Sequence, residues 1–450
     1  MKKILLFALI GWSYTALSQV NPAITSWLQN TTNIMGRHYV SGNSTPISDN
    51  VLANVQTVQY STNWAYINTN GIPAYITGPF LDGNPSLATA QNAIFRFPLN
   101  PTQNTGTPIA TTGGNIGVFI NGVALFDYRD GVSWRNSTNT IAGGPLGGMG
   151  DNVWNRDAVV AERMGFDCAK GHPAMGNYHH HQNPSAFNLD KVIISNVCNL
   201  YLADGLYVID SSQHAPLLGF AYDGYPIYGA YGYKNTDGSG GVVRMQSSYR
   251  LRNIAVRTHY ANNTDVTDGP TVSTTYPLGY FREDYEYIPT SATTPEMLDE
   301  HNGRFCVTPE YPNGIYAYFC TVDSNWNSAY PYAVGPTFYG NRTASRVTSI
   351  TEPVTPYLPT SIGQTQLESI NVSVFPNPAS ELIAIQMPNV IRENLDVALV
   401  DLKGKLIQQT SISQGSTIAY FDVRTVYNGA YLITITNGKA TISRKVVVLH

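Results

Sequence analysis

Short apolar–polar alternations broken by tight-turn pairs run through most of this chain, and they restrict it to a mainly β fold. TVQYSTNWAYI at 57–67 and GVFINGVALFD at 117–127 alternate at the period of a strand. Asn121-Gly122 and Asp223-Gly224 supply the residues that two-residue hairpin turns require. Helical periodicity is sparse. DNVWNRDAVVAERMGFD at 151–167 is the best helical stretch, with Asp151 as its expected N-cap. The reading is a large, irregular β-rich body followed by a small C-terminal β-sandwich of immunoglobulin-like type.

Four segments follow from composition. Residues 1–18 have the form of a secretory signal peptide: MKK gives a positive start, ILLFALIGW an apolar centre, and ALS at 16–18 a small-x-small cleavage pattern. Residues 19–341 form the Tyr-, Gly- and Asn-rich body. Residues 342–369, poor in charge and rich in Ser, Thr and Pro, read as an extended linker. Residues 370–450 hold five or six strands, with hairpins marked by Lys403-Gly404 and Asn437-Gly438. No stretch beyond the signal reaches the roughly 18 apolar residues of a membrane span. A net charge of -4 without basic runs gives no footprint for nucleic acid. The expected location is therefore secreted, extracellular or at the outer-membrane surface once processed.

Export makes the four cysteines readable as disulfide candidates. If Pro312-Asn313-Gly314 is a three-residue hairpin loop with Gly314 in the left-handed position, facing residues have numbers summing to 626, and Cys306 meets Cys320. Cys168 and Cys198 are then left for each other. Thiolate metal ligation is the weaker alternative, because no C-x₂-C pair occurs.

The segment with most chemistry is GHPAMGNYHHHQNP at 171–184. On a strand His179 and His181 share a face, while Tyr178 and His180 take the other. Imidazoles at i and i+2 are spaced to share one metal ion. His172 can fold back through Pro173 and Gly176 as a third nitrogen. Asp167, His214 and Asp223 are weaker candidates. Three nitrogens suit zinc or copper better than calcium. The alternatives are a structural hydrogen-bonding role for these histidines and metal-free acid/base chemistry. Asp223 reads either as a turn residue or as a carboxylate orienting a ligating histidine. Asp223 and Glu310 are the weak catalytic candidates; Asp299 and Glu300 are other carboxylates of the same region.

No G-x-S-x-G elbow, H-E-x-x-H pair or Walker loop is present, and no nucleotide cofactor is expected. AGGPLGGMGD at 142–151 lacks the Lys that phosphate binding needs. NTDGSGG at 235–241 would place Tyr233 and Arg244 at calcium-loop positions 1 and 12, so it reads as a turn.

Two resemblances follow from these residues. VFPNPAS at 374–380, VALVDLKGKLI at 397–407, NGAYLITI at 428–435 and the terminal KVVVLH resemble the type A C-terminal sorting domain of type IX secretion cargo. That resemblance implies recognition by the type IX machinery and removal of the domain at the outer membrane. FDCAKGHPAMGNYHHHQNP at 166–184, PLLGFAYDGYPIYG at 216–229 and LDEHNGRFCVTPEYPNGIYAYF at 298–319 resemble the YHYH domain family of secreted and surface proteins. One departure is visible: the motif's third residue, usually Tyr, is His180. The resemblance implies a fold and a location but no reaction. Three functions stay open: a secreted protein holding a transition metal, a metal-dependent extracellular hydrolase or oxidase, and a glycan-binding surface protein without metal.

Overall fold

The computed structural model describes residues 21–81, 86–201, 205–290, 294–359, 372–387, 391, 394–402, 404–437 and 441–450. The signal segment 1–18 and parts of the Lys403-Gly404 and Asn437-Gly438 turns lie outside these residues. The fold is mainly β, and both α-helices among the described residues, Pro22–Thr25 and Ala158–Ala161, are one turn long.

The body is organised around an eight-stranded sheet. Its spatial order is Gly171–Ala174, Asn177–His180, Ala124–Phe126, Asn115–Phe119, Leu217–Ala221, Pro226–Tyr228, Ile315–Phe319 and Gly303–Cys306. Two neighbouring pairs are parallel, Asn177–His180 with Ala124–Phe126 and Pro226–Tyr228 with Ile315–Phe319. The inner strands are apolar on both faces; every residue of Leu217–Ala221 is buried. A five-stranded antiparallel sheet, built on Val55–Tyr60, Trp64–Thr69 and Ala93–Pro98, contributes to the same core. Trp27 joins the two sheets, its ring centroid 5.4 Å from both Phe97 and Phe220.

Turn chemistry decides where strands reverse. Gly122 takes φ +80 and Gly224 takes φ +89, conformations that side chains resist. Asn121 and Asp223 accept the backbone N–H two residues on. The chain reverses at both pairs, but through three-residue loops rather than the expected two-residue turns: the Phe119 N–H donates to the Val123 carbonyl and the Ala221 N–H to the Tyr225 carbonyl, and only the glycine of each pair is left-handed.

Three further expectations are corrected. The helix expected from Asp151 is confined to Ala158–Ala161, and Asp157 caps it by accepting from Val159 and Val160. Asn155–Asp157 is instead a strand, and Trp154 is fully buried with its indole donating to the Thr267 carbonyl. Tertiary burial overrides the local helical pattern there. The expected linker is partly built into the body: Ser345–Val347 and Thr355–Tyr357 form the two edges of the five-stranded sheet.

The third correction concerns cysteine. Gly303–Cys306 pairs with Ile315–Phe319 so that Cys306 faces Ile315, and facing numbers sum to 621 rather than 626. The loop is longer than three residues, although Gly314 does take φ +84. Cys306 and Cys320 are buried and not bonded to each other. Cys168 and Cys198 do form a disulfide, with Cα atoms 5.4 Å apart, packed among Phe166, Ala186, Phe187 and Val197.

Residues 372–450 contribute two further antiparallel sheets of three and four strands. Alternate residues such as Ile383, Ile385, Val397, Leu399, Ile433 and Ile435 are fully buried in one cluster shared by both sheets.

The Cys168–Cys198 bridge encloses the histidine hairpin in a loop of 30 residues' separation. Closing such a loop is worth about 3–4 kcal/mol on the chain-entropy model. Cys198→Ser is expected to lower the urea-unfolding free energy of the full chain by about that amount. Unchanged stability would contradict the assignment.

Candidate functional site

A two-residue turn brings the histidines together. Met175 and Gly176 take φ 50 and 84, so Gly171–Ala174 folds directly back on Asn177–His180. In that register His172 faces His179. His181, two residues beyond His179, falls on the same face. Ring centroids of His172 and His179 lie 4.6 Å apart, and those of His179 and His181 lie 4.7 Å apart. One nitrogen from each of His172, His179 and His181 lies within 4.8 Å of the other two. Aromatic neighbours restrict the rings: Phe126 stacks on His179 at 3.8 Å and Phe166 stands edge-on to His172 at 4.9 Å.

Backbone carbonyls set the protonation state of two rings. His179 Nδ1 lies 2.8 Å from the Asn177 carbonyl, and His181 Nδ1 lies 2.7 Å from the Asp127 carbonyl. A carbonyl only accepts, so each Nδ1 carries the hydrogen and, in a neutral ring, each Nε2 carries a lone pair. Those two Nε2 atoms are 3.0 Å apart. Two lone pairs at that distance repel unless a proton or a metal cation lies between them. A carbonyl on the distal nitrogen is also the arrangement that orients metal-bound histidines.

A fourth group completes the cluster. Glu162 Oε2 is 3.3 Å from His172 Nε2 and 3.3 Å from His181 Nε2. The helix Ala158–Ala161 delivers it. Asp157 caps that helix and accepts from the Tyr332 hydroxyl at 2.8 Å, while the Glu162 N–H closes it on the Ala158 carbonyl. Burial works to raise the Glu162 carboxyl, but His172 and His181 beside it hold it far below the ordinary range. Burial, then His181 and His172, holds His179 well below its usual value and so keeps it neutral. His172 and His181 side chains are 6% and 3% exposed, and Glu162 at 23% is the member that reaches solvent.

The opposite strand face carries a separate network. His180 Nδ1 donates to the Lys170 carbonyl, and its Nε2 accepts from the Tyr75 hydroxyl at 2.7 Å. Burial holds His180 down to about 3. The Tyr178 hydroxyl donates to Asp167 at 2.9 Å.

The weaker candidates are not brought to this cluster, which corrects their expected role as ligands. Asp167 accepts from the backbone N–H groups of Gly78, Ala169 and Gly171 and pins the turn into the hairpin. His214 donates to the Ala215 carbonyl and packs against Tyr228 and Tyr233. Asp223 accepts from Tyr318 and from the Gly340 and Tyr225 N–H groups, so it serves its turn and anchors the neighbouring chain. Glu310 accepts from the Tyr228 hydroxyl and lies at the far edge of the sheet. Glu162 was not among the expected residues. Its one signal was a carboxylate within the chain's best helical stretch, 151–167.

His180 fills space between Phe119 and Tyr178, and its loss leaves the Tyr75 hydroxyl without that acceptor. His180→Ala is expected to cost about 2–4 kcal/mol in urea unfolding, through cavity and hydrogen-bond loss. A cost below about 0.5 kcal/mol, typical of a surface change, would contradict this.

The family description "YHYH protein" matches residues 94–331, more than half of the chain. The description "Secretion system C-terminal sorting domain" matches residues 373–449. No curated protein matches the chain. The sorting domain marks the chain for the cell surface or the extracellular space and implies contact with the type IX secretion machinery. Among the described residues no helix is long and apolar enough to cross a membrane.

Proposed function

This chain belongs to the YHYH protein family and carries a secretion sorting domain, and from that premise we propose that it is an exported protein that holds one transition-metal ion. His172, His179 and His181 are the nitrogen ligands and Glu162 the carboxylate ligand. The observation that carries the reading is the pair of Nε2 atoms facing each other at 3.0 Å, each on a ring whose other nitrogen is locked by a carbonyl. A divalent cation converts that repulsion into attraction and is balanced by the Glu162 charge.

Three imidazoles and one carboxylate suit zinc or Cu(II). Four protein donors, three of them buried, favour a closed site that stabilises the fold over an open site that turns over substrate. The role is metal holding, for structure or for capture outside the cell. The chain's own part in it is orientation: the Asn177 and Asp127 carbonyls and the Phe126 ring keep the donors aimed before any ion arrives.

Elemental analysis of the purified full chain tests this. About one equivalent of zinc or copper is expected, retained through desalting. His179→Ala/His181→Ala together should abolish it, and Glu162→Gln should weaken affinity at least tenfold while leaving the fold intact. Metal at a hundredfold excess over Kd adds about 2.7 kcal/mol, so chelation should lower Tm by roughly 3–5 °C for a body of this size. Equal, substoichiometric metal and identical Tm in parent and double variant would overturn the proposal.

A further inference from the structure

The helix Ala158–Ala161, the strands Val242–Arg244 and Tyr249–Leu251 and the loop 322–332 wall a groove of about 580 Å³. Arg163 follows Glu162 in the chain and Gln182 follows His181, so the groove begins one residue from the histidine cluster. The charged side chains among the described residues that line it are Arg163, Arg244 and Arg250 against Asp323. Arg250 is matched by Glu286, 3.1 Å away. Arg163 donates to the Ile194 carbonyl, and Arg244 donates to the Val322 carbonyl at 2.6 Å and to Gln246 Oε1 at 3.2 Å. Asp190 acts on Arg163, but Lys170 holds that carboxylate at 2.7 Å. Asp323 accepts from the N–H groups of Asn325 and Asn327 within its own loop. The lining therefore keeps a positive excess, Arg163 and Arg244 against Asp323. Gln182 is 3% exposed, and its side-chain amide bonds to no described residue. An amide so deeply buried calls for both a donor and an acceptor, and the groove it lines is where they can enter.

We propose that this groove binds an acidic oligosaccharide, with its anionic group on Arg163 and Arg244 and its hydroxyls on Gln182. Guanidinium groups match the paired oxygens of a carboxylate or sulfate in both charge and shape. A bare anion only accepts hydrogen bonds, so it leaves the Gln182 carbonyl oxygen without a donor. A sugar hydroxyl both donates and accepts and satisfies the whole amide. Val160 and Leu251, 45% and 44% exposed, also line the groove and offer apolar surface to the C–H face of a sugar ring. An inorganic anion has nothing to lay there. The groove's volume falls within the roughly 300–1,000 Å³ of clefts that hold organic ligands. The sorting domain marks the chain for the cell surface or the extracellular space, where charged polysaccharides are encountered. Binding here uses none of the proposed metal ligands.

The test is calorimetric titration of the full chain with tetragalacturonate and with a sulfated carrageenan tetrasaccharide, the tighter of the two naming the acidic group. Cellotetraose serves as the neutral sugar and inorganic sulfate as the bare anion. Saturable binding of an acidic oligosaccharide is expected, weakening as salt is raised, with both comparison ligands about tenfold weaker or more. Arg244→Gln should weaken it about tenfold or more, through loss of a charge-assisted contact. Gln182→Met keeps the side-chain volume and breaks no hydrogen bond to a described residue, so circular dichroism, Tm and metal content should match the parent while binding weakens about threefold or more. Chelation of metal should leave the affinity unchanged, which separates the groove from the histidine cluster. The proposal is overturned if neither acidic oligosaccharide binds saturably, if cellotetraose or sulfate binds as well, if both variants leave binding intact, or if binding disappears on chelation.

Discussion

The carbonyl oxygens of Asn177 and Asp127 decide what the histidine cluster can be. Each accepts from an imidazole Nδ1 at under 3 Å, so each ring must present its other nitrogen as a lone pair in the neutral state. The fold then sets those lone pairs 3.0 Å apart. Ordinary packing would avoid this arrangement, because a small rotation of either ring would relieve it. Phe126, stacked on His179, and the Asp127 carbonyl, bonded to His181 Nδ1, oppose that rotation. With both rings neutral the site is held against its own repulsion, and Glu162 lies 3.3 Å from the Nε2 atoms of His172 and His181.

The surrounding structure serves that constraint. The histidine hairpin is short and sits at a sheet edge, where among the described residues one neighbouring strand, Ala124–Phe126, steadies it. The opposite face of the same strand compensates: Tyr75, His180, Lys170, Tyr178 and Asp167 form a buried network that ties the hairpin to the preceding turn and to distant chain. Lys170 adds a buried ion pair to Asp190, 2.7 Å away. The Cys168–Cys198 bridge closes the loop that carries Lys170, Tyr178, His180 and Asp190. An export address and a disulfide are consistent with each other, since such bridges persist in oxidising compartments.

Local patterns made much of this legible. The β class, the reversals at Asn121-Gly122 and Asp223-Gly224 and the shared face of His179 and His181 all follow from alternation and turn chemistry. What escaped depended on pairing across long separations. Ser345–Val347 and Thr355–Tyr357 look structureless alone and become strands only beside Ala93–Pro98 and Val55–Tyr60. The Cys306 register failed because a loop of unknown length stands between the strands, and each added residue moves every partner. Glu162 escaped because no spacing rule links it to His172; a one-turn helix capped by Asp157 delivers it. Asp167 and Asp223 have carboxylate chemistry, but both are spent on backbone N–H groups and tyrosine hydroxyls.

X-ray absorption at the metal edge of the zinc- or copper-loaded full chain tests the central claim most directly. The account predicts a first shell of nitrogen and oxygen at about 2.0–2.1 Å for zinc, with outer-shell scattering from three imidazole rings that falls by one ring in His172→Ala. A spectrum without imidazole scattering, or one that the substitution leaves unchanged, would contradict it.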